Sequence, residues 1–259
     1  MQALPDLRPH EFHLLKPGRS NYFPLEFIMK TTRSLLMLLV IAATMTSCTG
    51  ERMLLRKGER ILFLGDSITE LGMNPNGYVA LLREELSARN PEVGIEIIGA
   101  GISGNKVTDL EKRLGKDVIE RHPTIVVIYI GINDVWHWAL ANHKGTTKEE
   151  FERLLREIVA RIQYSGAEVV LCTPSVIGEK SDGTNPQDPL LEEYCAISRK
   201  IASDQGIRLC DLRKAFIAYL TAHNRENSEK SVLTTDGVHL NNAGNRLVAD
   251  EMLRFLGGR

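Results

Sequence analysis

Cysteine is scarce in this chain, with four residues among 259. That is too few for a small disulfide-stapled scaffold. An excess of charge of one sign is missing too. The 32 basic and 33 acidic side chains leave a net charge of −1, and no long basic run stands out. A nucleic-acid binder held by bulk electrostatics is thereby excluded. No His-Glu-x-x-His pattern and no paired Cys-x-x-Cys occurs, so no zinc site is expected. Internal repeats, low-complexity tracts and a second domain are also missing. Apolar residues, by contrast, are present in ordinary measure: 43% hydrophobic against 25% charged. That is enough buried surface to offset the entropy cost of folding, which excludes a disordered chain. The length suits one domain of about 200 residues with an additional piece attached.

The additional piece is at the front. Leu35–Ala43 reads LLMLLVIAA, nine apolar residues after Lys30 and Arg33. A membrane-spanning helix needs about 20 such residues, whereas a signal-peptide core needs roughly 7–15. The following Met45-Thr46-Ser47-Cys48 resembles a bacterial lipobox, with Ser47 before the cysteine and Met45 in place of the more usual leucine. Met29 is a natural start for such a signal. Residues 1–28 are therefore expected to be an upstream extension, 29–47 a signal peptide, 48–59 a linker and 60–259 the folded domain, with Cys48 the lipidated residue. A plain secretory signal or a buried helix is the alternative. The reading implies export, with membrane attachment only through an N-terminal lipid. Cys172, Cys195 and Cys210 allow at most one disulfide; Cys172 and Cys210, in apolar segments, read as small core residues.

The body alternates strand-like and helix-like segments. Strands are expected at 61–64, 95–98 (closed by Gly99), 125–130, 169–172 and 207–210. Helices are expected at 78–89, 107–121 with a break near Gly115, 147–164 with Thr147 and Glu150 as a capping box, 189–205 and 242–256. Strands that are apolar throughout, such as IVVIYI, are buried on both faces. Their alternation with helices implies a parallel sheet. The fold class is thus α/β, a three-layer α/β/α sandwich with about five parallel strands, whose site lies outside the carboxyl ends of the strands. The polar loop 177–188 is expected to border it.

Four segments carry candidate chemistry. Gly65-Asp66-Ser67 follows the first strand and offers a serine nucleophile. Asp236-Gly237-Val238-His239 offers a general base and, three residues earlier, a carboxylate to orient it. Gly101-Ile102-Ser103-Gly104-Asn105 follows the second strand, and a glycine there lets its N–H approach a ligand. Gly131-Ile132-Asn133-Asp134 follows the third and supplies a side-chain amide donor. Each segment alone is ordinary turn or cap chemistry.

Jointly, from about Arg60 to Leu256, they resemble the SGNH hydrolases, the GDSL-type esterases and lipases, with a flavodoxin-like sheet. The resemblance implies Ser67 as nucleophile, Asp236 and His239 as its triad partners, and an oxyanion hole from the N–H groups of Ser67 and Gly104 and the amide of Asn133. No G-x-S-x-G elbow surrounds Ser67, unlike a typical α/β-hydrolase. The implied activity is carboxylic ester hydrolysis without metal or cofactor, acting on a small-molecule or polysaccharide ester. Trp136 and Trp138 are candidates for stacking on a sugar face, and no apolar insertion long enough for a lipid-binding lid is present. A short-chain or carbohydrate esterase leads; a lysophospholipase or thioesterase, or a catalytically silent carbohydrate-binding lipoprotein, is the alternative. Oligomeric state is not legible.

Overall fold

The computed structural model of the protein describes residues 55–256. The expected extension at 1–28, the signal peptide at 29–47, the lipidation position Cys48 and most of the 48–59 linker lie outside the described residues.

Five strands form one parallel sheet: β1 (Arg60–Gly65), β2 (Glu96–Gly101), β3 (Ile125–Tyr129), β4 (Glu168–Cys172) and β5 (Arg208–Cys210). Their spatial order is β2-β1-β3-β4-β5. All five residues of β3 are buried, as the unbroken apolar run requires of a central strand covered on both faces. The register places the last residues of the strands in one row. Gly65 lies beside Gly101 and Tyr129, Tyr129 beside Cys172, and Cys172 beside Cys210. The chain leaves β1 toward β2 on one side and then crosses to β3 on the other. That reversal opens a crevice at the carboxyl edge, next to β1.

Eight α-helices complete the described residues: α1 (Ser67–Gly72), α2 (Tyr78–Arg89), α3 (Val107–Asp117), α4 (Ile132–Trp136), α5 (Lys148–Tyr164), α6 (Asp188–Asp204), α7 (Leu212–His223) and α8 (Asn242–Leu256). One group packs α2 and α7 against α8; the other packs α3 and α6 against α5. The two groups are the outer layers of the expected sandwich. α5 shows how sequence dictates this. Phe151, Leu154, Leu155, Ile158, Val159 and Ile162 recur at helical spacing and are all buried. Thr147 Oγ1 accepts the Glu150 N–H at 3.3 Å, so the threonine half of the expected capping box is present.

Three local expectations are corrected. The second strand does not close at Gly99 but runs on to Gly101. A Cβ on Gly101 would lie 2.2 Å from the Glu70 backbone nitrogen, so this glycine lets α1 pack directly on β2. The break in the third segment falls at Val118, not near Gly115. Gly115 faces open space, and an outward helical glycine costs only about 1 kcal/mol, less than burying Leu110 and Leu114 returns. Finally, α7 has no counterpart among the expected helices, although Leu212, Phe216 and Leu220 form its buried stripe. Asp211 caps it by accepting the Lys214 N–H.

Cys172, Cys195 and Cys210 are buried free thiols. Burial pushes the Cys195 thiol up to about 12, which leaves it inert as a nucleophile.

Candidate active site

Three of the four chemical segments leave the carboxyl edge directly. β1 ends at Gly65, and Asp66 then caps α1, its Oδ1 accepting the Ile68 N–H at 2.9 Å. That cap fixes Ser67 as the first residue of α1, where its N–H has no acceptor within the helix. Asp66 itself is buried. Burial pushes its carboxyl up to about 7 against the Ile68 N–H, and the neighbouring Asp134 pushes in the same direction.

The fourth segment comes from the far end of the chain and closes on itself. Thr234 and Leu240 form an antiparallel bridge, and the Thr235 N–H donates to the His239 carbonyl at 2.8 Å. Within this loop Asp236 Oδ1 accepts the N–H groups of Val238 (2.9 Å) and His239 (2.8 Å), while Oδ2 lies 2.7 Å from His239 Nδ1. The other ring nitrogen, Nε2, lies 3.0 Å from Ser67 Oγ. Serine, histidine and aspartate, 172 residues apart at the widest, thus form one hydrogen-bonded chain. Partial burial raises the Asp236 carboxyl, but the hydrogen bonds from the His239 ring and the two backbone N–H groups prevail and hold it below its usual range.

The expected donor groups lie on the segments that follow β2 and β3 at the same carboxyl edge. Gly104 has φ 77°, with open space where a Cβ would stand. Its glycine is therefore required by the left-handed backbone rather than by crowding. Its N–H has no acceptor among the described residues. Asn133 is buried in α4 and donates one amide hydrogen to the Asn105 carbonyl at 3.0 Å, leaving the other free. The next residue, Asp134, accepts the Val107 N–H at the start of α3; burial pushes it up to about 6.

The two tryptophans part company. Trp136 meets His239 edge to face, ring centres 6.3 Å apart. It also lines a cavity of about 320 Å³ beside Asp236, together with Ile177, Lys180, Pro186 and Glu229. The 177–188 loop therefore borders the site as expected. Trp138 lies instead against Gly145, its indole N–H 3.4 Å from the Thr146 carbonyl, and is absent from the cavity wall.

Several supporting residues escape sequence reasoning. Glu70 accepts the Ser103 N–H at 2.7 Å and the Ser103 hydroxyl, tying the glycine loop to α1. Glu179 is fully buried and accepts the N–H groups of Val232 (2.8 Å), Leu233 (2.8 Å) and Thr234 (2.5 Å), and the Thr234 hydroxyl (2.7 Å). Thr234 Oγ1 in turn accepts the Gly237 N–H at 3.0 Å. The carboxylate therefore anchors the loop that carries Asp236 and His239. Only Glu70, one helical turn beyond Ser67, has a position that hints at its role.

A parallel sheet with a serine, a histidine and an aspartate linked at its carboxyl edge is the setting of a hydrolytic enzyme. The chain belongs to the GDSL-like Lipase/Acylhydrolase family, whose profile matches residues 63–247. It is 35% identical over 217 residues to an acetylxylan esterase of Geobacillus stearothermophilus, covering 77% of this chain and 94% of that one. Among solved structures, the acetyl xylan esterase AlAXEase is 44% identical, with a TM-score of 0.72 over 74% of this chain and 97% of its own. Axe2, an acetylxylan esterase from G. stearothermophilus, is 32% identical, with a TM-score of 0.70 over 80% and 99%. The protein is a carboxylic ester hydrolase.

Proposed function

We propose that this enzyme removes acetyl groups from acetylated carbohydrate, with Ser67, His239 and Asp236 as its catalytic triad. The single observation that carries this reading is the unbroken chain from Ser67 Oγ through both ring nitrogens of His239 to Asp236. Ser67 Oγ attacks the ester carbonyl carbon as its proton passes to His239 Nε2. Asp236 holds the ring and stabilises the imidazolium. The carbonyl electron pair moves onto oxygen, which the N–H groups of Ser67 and Gly104 and the free amide hydrogen of Asn133 receive. Collapse expels the alcohol oxygen, which takes the proton from Nε2. Water then attacks the acyl-serine with His239 as base, releasing acetate and restoring Ser67. Trp136 forms a wall for the sugar next to His239. The relatives named acetylxylan esterases support the carbohydrate as alcohol portion.

The experiment is a hydrolysis panel of acetylated xylan, p-nitrophenyl esters of increasing chain length and lysophospholipid, with wild type and Ser67→Ala. Acetate release from xylan and rates that fall with chain length are expected, with Ser67→Ala slower by at least about 10⁴-fold. Preference for lysophospholipid would move the enzyme to the lysophospholipase reading. An inactive wild type that takes no label from a fluorophosphonate probe would make it a silent binding protein. Export and acylation of Cys48 belong to the same proposal, supported by the apolar run before the lipobox; N-terminal sequencing of the mature protein from its native host tests them, and peptides beginning at Met1 rule them out.

A further inference from the structure

The mechanism above gives no role to Asn105, the last residue of the Gly101–Asn105 segment, or to Arg113, which stands in the middle of α3. Yet Arg113 touches the chain close to two of the three oxyanion donors, Ser67 and Gly104, and holds Asn105, whose carbonyl accepts from the third, Asn133. Its Nε donates to Asn105 Oδ1 at 2.8 Å. One Nη2 reaches both the Gly65 and the Ala100 carbonyls, each at 2.9 Å. Nη1 pairs with Asp117 at 3.0 Å. Gly65 is two residues before Ser67. Ala100 is the penultimate residue of β2, from which the Gly104 loop departs. Asn105 follows Gly104, and its main-chain carbonyl is the acceptor that orients the Asn133 amide.

We propose that Arg113, acting through Asn105, is a positioning residue for the oxyanion hole. The inference rests on the proposed oxyanion roles of Ser67, Gly104 and Asn133. A guanidinium is planar and presents its donors at fixed angles. Four acceptors from β1, β2, the glycine loop and α3 therefore have their mutual distances set by one rigid group. Asn105 is the joint. Its side chain is held by Arg113, and its backbone holds Asn133 on one side and Gly104 on the other. A lysine at 113 keeps the charge next to Asp117 but offers a single flexible point of attachment. The oxyanion is present only in the transition state and the tetrahedral intermediate. Loosening its donors therefore lowers kcat and leaves ground-state binding alone.

The test is a double-mutant cycle on p-nitrophenyl acetate with Asn105→Ala, Asn133→Ala and the pair, and Arg113→Lys beside them. Asn105→Ala keeps the Asn105 carbonyl and leaves Arg113 its three other acceptors, so it preserves the packing that Arg113→Lys puts at risk. Asn133→Ala is expected to lower kcat by about 10²–10³. Asn105→Ala is expected to lower it by about 10-fold or more, because small misplacements of catalytic groups are costly, with KM within about twofold. The loss in the pair should fall short of the product of the single losses by about fivefold or more, as residues acting in one network do. Losses that multiply closer than this, or an Asn105→Ala effect confined to KM, overturn the inference while the oxyanion assignment stands. An Asn133→Ala enzyme with wild-type kcat overturns both. Arg113→Lys, if folded by its melting curve, should match or exceed the Asn105→Ala loss in kcat; a wild-type kcat in that variant also overturns the inference.

Discussion

Asp236→Asn is expected to lower kcat by about 10⁴ and to be at least as damaging as Asp236→Ala. The usual ranking, in which the isosteric amide is the milder change, is reversed by the loop's own hydrogen bonds. Asp236 Oδ1 accepts two backbone N–H groups, from Val238 and His239. An asparagine must keep its carbonyl oxygen there, because an NH₂ would face two donors. Its NH₂ is then fixed in the place of Oδ2, 2.7 Å from His239 Nδ1. Nδ1 has to accept, so the ring proton moves to Nε2, which faces Ser67 Oγ at 3.0 Å. In that tautomer the histidine cannot take the serine proton. Alanine removes the carboxylate but imposes no tautomer. Steady-state kinetics of both variants on p-nitrophenyl acetate decide the matter, and an Asp236→Asn enzyme faster than Asp236→Ala contradicts it.

Glu179→Ala should destabilise the protein by about 3–6 kcal/mol. It strands three buried donors, the Leu233 and Thr234 N–H groups and the Thr234 hydroxyl, and the half-buried Val232 N–H, and each unsatisfied buried donor costs about 1–3 kcal/mol, less whatever relaxation recovers. That is a large share of the 5–15 kcal/mol, roughly, that holds a typical domain folded. Glu179→Gln should cost markedly less. Its amide oxygen can take the place of Oε1, which serves Leu233, Thr234 and the Thr234 hydroxyl, so only the Val232 N–H loses its partner. Urea unfolding of the three proteins at one pH measures both differences. Equal midpoints for wild type and Glu179→Ala would show that the carboxylate carries no such load. Because the stranded groups lie just before Asp236, activity in Glu179→Ala should fall before global unfolding begins.

The sheet was readable in the sequence because a strand buried on both faces must be apolar at every position, and no other demand competes with that one in β3. The catalytic segments were readable for a related reason. Ser67, Gly104 and Asn133 each lie within a few residues of a strand end, so a local pattern marks them. Glu179 and Arg113 are of another kind. The donors that Glu179 receives are more than fifty residues away, and the carbonyl of Gly65 that Arg113 reaches is 48 residues away. A lone charged residue meeting a backbone group at that separation leaves no periodicity to detect. The helix at 212–223 was missed although its buried stripe was present, since only Asp211 separates it from the end of β5 and no Gly or Pro marks the turn. Gly99 and Gly115 misled for opposite reasons. Gly99 stays inside a strand because the Met73 side chain fills the space a Cβ would take, and Gly115 stays inside a helix because its face is turned to solvent.

The 172 residues between Ser67 and His239 also set a timetable. A chain growing from its N-terminus completes the serine, the glycine loop and Asn133 long before it contains a base. The Asp236–His239 pair is self-assembled within seven positions of loop, Thr234 to Leu240, and arrives 172 residues after the serine. α8 follows it and is tied to the start of α2, Asn245 accepting the Tyr78 N–H at 2.9 Å. Until the growing chain reaches His239 its serine is therefore unarmed, and hydrolysis waits for the base.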